Sequence, residues 1–114
     1  MPIENISEEL LIITFSDRQR LNNELKEVNE MIYKGRDCNV LINLRGVELI
    51  NSTNLRNLII LRQFLNKIGR QLILYNVSLP VKCIFVVTGL RDIFNFAKDR
   101  DEAMQELNLA ETAV

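Results

Sequence analysis

Three apolar runs constrain this chain more than any other feature: Glu9 to Phe15 (ELLIITF), Cys38 to Leu44 (CNVLINL) and Gln71 to Val77 (QLILYNV). Each is rich in Ile, Leu or Val and is bounded by polar or turn-forming residues, the pattern of a strand. Between the first two lies a stretch of helical periodicity. Leu21, Leu25, Val28 and Ile32 recur at i, i+4, i+7 and i+11 and form one apolar stripe. Ser16 or Asp17 is placed to cap that helix, which runs to about Tyr33, and Gly35 follows as a stop. Strands that alternate with helices need crossovers, so the pattern predicts an α/β fold with a largely parallel sheet. The second run carries Val40, Leu41, Ile42 and Leu44 with little alternation, as a strand covered on both faces would.

A second helix should open at Asn51-Ser52 and close near Gly69, a suitable residue for a helix C-terminus. Leu55, Leu58, Leu61, Leu65 and Ile68 lie mainly on one side of it and should pack on the sheet. Ser78-Leu79-Pro80 reads as a cap with proline in the first turn. The following VKCIFVVTGL is ambiguous: Val, Ile and Phe favour a strand, whereas its position favours a short buried helix closed by Gly89. Ile93 to Phe96 fits a short last strand, and Asp99 or Asp101 can cap a final helix carrying Ala103, Met104 and Leu107. The last residues, NLAETAV, read as a fraying tail.

Length and composition restrict function. With 114 residues, one domain over 1–114 is expected. Fourteen basic residues face 15 acidic ones, a net charge of −1, which speaks against a nucleic-acid binder. No apolar run approaches the roughly 20 residues that span a bilayer. The N-terminal MPIENISEELL carries Glu4 and Glu8 in place of a basic signal-peptide region, so a cytoplasmic protein is expected. Cys38 and Cys83 lack redox or zinc spacing and read as reduced, buried thiols. There is no histidine, and the four glycines are scattered, so neither the commonest general base nor a phosphate-cradling loop is present. Neither catalysis by this chain nor a cofactor or metal is expected.

The stretch VLINLRGVELINSTNLRNLIIL resembles the core motif of the STAS family, the bacterial anti-sigma factor antagonists, whose members read like vvlDLsgVtfiDSsGLgvLl. LILYNVSLPVKCIFVVTGLRDIFNF resembles the family's second stretch, with its V…TGL…iF ending. The two cover roughly Cys38 to Phe96. The resemblance implies a small, mostly parallel sheet of four to five strands flanked by about four helices. It also implies that VKCIFVV is helical. In the family, the serine after the motif Asp is phosphorylated by a partner kinase that is also an anti-sigma factor. Carried over residue by residue, the Asp falls on Asn51, the phosphoacceptor on Ser52, the next hydroxyl on Thr53 (a second-choice acceptor) and the Gly on Asn54.

At about 100° per residue, Ser52, Arg56, Ile59 and Gln63 share one stripe of the helix. The expected partner surface is therefore Asn51, Ser52, Thr53, Asn54, Arg56, Ile59 and Gln63, with Arg56 offering its charge to a partner carboxylate. Asn, Ser and Thr also start helices simply as caps. The resemblance implies an anti-sigma factor antagonist that binds the kinase when unphosphorylated and is released on phosphorylation. The alternative is a STAS scaffold of a stress-signalling assembly, or an accessory subunit of a lipid-transport ATPase, without a phosphoryl cycle. Monomer and homodimer both stay open. A two-component receiver is disfavoured, because ITFSDRQ and LINLRG lack its acidic constellation.

Overall fold

A computed structural model of the chain describes residues 3–15 and 18–112. Its elements run β1 (Ile3–Ser7), β2 (Leu10–Thr14), α1 (Arg18–Tyr33), β3 (Asn39–Asn43), α2 (Ser52–Lys67), β4 (Leu72–Tyr75), α3 (Leu79–Val87), β5 (Asn95–Ala97) and α4 (Arg100–Thr112). A single 3-10 turn, Arg91–Ile93, precedes β5. The five strands form one sheet in sequence order. β2 to β5 are parallel, with Ile12 opposite Leu41, Leu41 opposite Ile73 and Ile73 opposite Asn95. The expected α/β architecture is thus present, and VKCIFVV is helical.

β1 was not anticipated. It pairs antiparallel with β2 and is exposed along most of its length. Only Ile3 and Ile6 are apolar within it, so backbone pairing at the sheet edge, and not burial, makes it a strand.

The sheet's two faces carry separate cores. Leu11, Ile13, Val40, Ile42, Leu72 and Leu74 meet α1, α2 and α3. Leu10, Ile12, Leu41, Ile73 and Tyr75 meet α4 through Ala103 and Leu107. Burial on both faces accounts for the weak alternation of the central strands. The α1 stripe is buried as its spacing predicts, and so are Leu55, Leu58, Leu61 and Leu65 of α2.

Four details differ from expectation. Ile68 is half-exposed, because it lies one residue past the end of α2, where the chain leaves helical geometry. There Gly69 takes φ +73°, and the Arg70 and Gly69 N–H groups donate to Leu65 and Asn66 carbonyls. That closure needs a left-handed residue. Cys83 is exposed, because on α3 it is Val81 and Phe85 that turn inward; Cys38 is buried. Ser78 precedes α3 as expected, but its hydroxyl donates to the Val47 carbonyl at 3.3 Å and makes no cap bond. α4 continues to Thr112, into the stretch read as a tail. Asp99 caps it, accepting the Glu102 N–H at 2.9 Å. The proposed caps of α1, Ser16 and Asp17, lie outside the described residues.

Candidate phosphoacceptor site at the start of α2

The site begins where β3 leaves the sheet. The Asn43 side-chain oxygen accepts the Arg45 N–H at 3.0 Å and the Asn76 side-chain amide at 3.1 Å. Asn76 itself sits at φ +54°, a conformation asparagine tolerates better than most residues. The loop is then pinned from below by Val47 and Ile50, both buried. These contacts deliver Asn51 to the sheet's upper edge in an extended conformation, φ −110° and ψ 179°.

Asn51 and Asn54 close a reciprocal cap. The Asn54 N–H donates to Asn51 Oδ1 at 2.8 Å, and the Asn51 N–H donates to Asn54 Oδ1 at 2.9 Å. Two asparagines thereby do what a Ser/Thr–Glu pair does in the commoner capping box. Ser52 and Thr53 are consequently released from capping duty. Both are exposed, at the first and second helical positions. Their N–H groups belong to the first turn, where the helix supplies no acceptor. No acidic side chain lies in that turn.

Along the predicted stripe, Arg56 and Gln63 are exposed, whereas Ile59 is half-buried against the core. Asn51 is also exposed. Asn54 is not: its exposure is 0%, so its side chain is not on the surface where the sequence reading put it. It turns inward because α1 supplies an acceptor. Asn54 Nδ2 donates to Asn22 Oδ1 at 2.6 Å. Asn57 Nδ2 donates to the same oxygen at 3.2 Å, and Asn29 Nδ2 donates to the Asn57 carbonyl at 3.2 Å. Sequence reasoning missed this seam. Its one signal was that Asn54 and Asn57 fall on the leucine side of α2.

Among the described residues, no cluster of three or more His, Cys, Asp or Glu side chains could hold a metal. No helix among them is long and apolar enough to cross a membrane.

The STAS domain family model matches residues 6–103. The chain belongs to the STAS domain family. Solved STAS structures repeat its fold. RsbS of Moorella thermoacetica, in a serine-to-glutamate variant, is 18% identical, with a TM-score of 0.80 over 96% of this chain and 97% of that one. An anti-sigma-factor antagonist (STAS) domain protein of Planctomyces limnophilus is 17% identical, with a TM-score of 0.79 over 93% and 97%. Unphosphorylated SpoIIAA, a Bacillus cell fate determinant, is 18% identical, with a TM-score of 0.77 over 93% and 94%. No curated protein sequence matches this STAS domain.

Proposed function

We propose that this STAS domain is an anti-sigma factor antagonist that works by binding, with Ser52 as the switch. The observation that carries the reading is the exposed Ser52 hydroxyl on an N-terminal turn already capped by its neighbours. The fold likeness to SpoIIAA, which has been solved in unphosphorylated and phosphorylated forms, supports it. Unphosphorylated, the protein captures a cytoplasmic anti-sigma kinase and frees a sigma factor for transcription. The surface offered is Asn51, Ser52, Thr53, Arg56, the exposed part of Ile59, and Gln63.

The kinase supplies the chemistry. Ser52 Oγ forms the new O–P bond, its proton passes to a base of the kinase, and the nucleotide departs as a diphosphate. The product carries about −1.5 to −2 charges on an exposed surface. Two consequences follow from geometry. The positive end of α2 favours the anion by about 0.3–1 kcal/mol, so the fold accepts the phosphoryl group. Arg56 stands one turn further on, the i, i+4 spacing that lets side chains meet. It turns to the phosphoserine and is withdrawn from the partner's carboxylate. The partner then meets a dianion and loses a cation, and the complex dissociates.

The uncharged Asn51, where the family pattern has Asp, favours a second reading: a STAS scaffold or accessory subunit that binds without a phosphoryl cycle. Intact mass of the protein from its native cells separates the two. One added phosphate that disappears in Ser52→Ala is the expected result. No phosphate in any growth condition transfers the assignment to the scaffold reading, and a phosphate that persists in Ser52→Ala moves the acceptor away from Ser52, with Ser52→Ala/Thr53→Ala testing Thr53 next.

A further inference from the structure

The seam between α1 and α2 holds amides where leucines would be expected. Asn29, Asn54 and Asn57 are 8%, 0% and 7% exposed, and Asn22 is half-buried beside them. The hydrogen-bond logic fixes the direction of the chain of amides. Asn54 Oδ1 must accept, because its partner is the Asn51 N–H. Its Nδ2 must therefore donate, and Asn22 must present oxygen to it. The same Asn22 oxygen takes Asn57 Nδ2 as a second donor. Both bonds of Asn22 to α2 thus use one acceptor atom.

We infer that Asn22 is a positioning residue for Ser52: through Asn54 it holds the capped first turn of α2 to α1 and so sets how the hydroxyl is presented. The inference rests on the reading of Ser52 as the acceptor. The connection runs Asn22 to Asn54 at 2.6 Å, Asn54 to Asn51 by the reciprocal pair, and Asn51 to Ser52 through the backbone. Asn54 is fully enclosed, so its Nδ2 has no solvent to fall back on if Asn22 is removed. It must then either stay unpaired or turn, and turning breaks its bond to the Asn51 N–H. Damage at Asn22 therefore reaches the residue before Ser52, although the two lie 30 positions apart in sequence.

The test compares Asn22→Ala with Asn22→Asp in the full chain. Alanine removes the acceptor, whereas aspartate keeps an oxygen in its place. Amide hydrogen exchange is read at Asn51 and Asn54, which donate the two cap bonds, and at Leu41 in the central strand as the global reference. The expected result is a rise of about tenfold or more at Asn51 and Asn54 relative to Leu41 in Asn22→Ala, with Asn22→Asp close to wild type. A uniform rise at all three sites in Asn22→Ala would mean general destabilisation and would overturn the inference, as would an unchanged cap. This readout needs no phosphate. Its failure is therefore separate from failure of the Ser52 reading, which the intact mass reports. Where the wild type is phosphorylated in cells, Asn22→Ala should carry severalfold less phosphate than Asn22→Asp, and equal amounts would count against the positioning role.

Discussion

At the scale of single residues, the site turns on which side chain caps and which is left over. Asn51 serves as the cap, so its replacement should cost stability. Asn51→Ala is expected to lose about 1 kcal/mol, and up to about 2 because the enclosed Asn54 N–H loses its acceptor. Thermal unfolding would register this as a fall of several degrees. Ser52, which caps nothing, should tolerate alanine with little change in the same experiment. The motif order Asn51-Ser52-Thr53-Asn54 was legible in the sequence, and it put the hydroxyls at the helix start where they are found. Asn54 was not legible. A single helix's periodicity can say that a residue lies near the apolar side. It cannot say that Asn22, on another helix, supplies the oxygen that makes burial of an amide affordable.

At the scale of elements, α3 shows how position overrides propensity. LPVKCIFVV is strand-like in composition, yet β4 and β5 are parallel neighbours, and joining them requires a crossover. Val81 and Phe85 are then fully buried, with Ile84 half-buried against the same core. Phe85 packs edge-on against Phe94 and Phe96, with ring centroids 5.4 and 5.2 Å away. Leu79, Val86 and Val87 remain 74%, 51% and 80% exposed. Two residues two positions apart should therefore behave very differently. Phe85→Ala should lose about 3–5 kcal/mol through the cavity it leaves. Val87→Lys should stay within about 0.5 kcal/mol of wild type in denaturant titration. In a strand the two side chains would share one face and respond alike. β1 marks the opposite limit of sequence reading. Its residues bury almost nothing, so no hydrophobic pattern announces it.

At the scale of the whole molecule, the sheet's lower end is tied by a charge pair. Arg70, just past α2, donates to Asp37, just before β3, at 2.6 Å. The hydrogen bond from Arg70 lowers the Asp37 pKa below its ordinary 3.8. A carboxylate depressed in the folded state stabilises above its unfolded pKa and loses that contribution as pH falls through its folded one. Wild type and Asp37→Asn should thus differ in melting temperature by a constant amount above about pH 5 and converge in stronger acid. The group is exposed to solvent, so the difference should be small and should shrink with added salt. Equal melting temperatures at every pH would show that the pair contributes nothing measurable.

The division of the sheet into two unequal walls has a consequence for how the protein is made. One wall is shared by three helices that are synthesised between the strands they cover. Among the described elements, only α4 covers the other, and it follows all five strands. While the chain is being translated, Leu10, Ile12, Leu41 and Ile73 have no cover until α4 has left the ribosome. Without α4 that face would present an exposed apolar surface, the kind chaperones attend. α4 therefore completes the second core only after all the strands it rests on have been made.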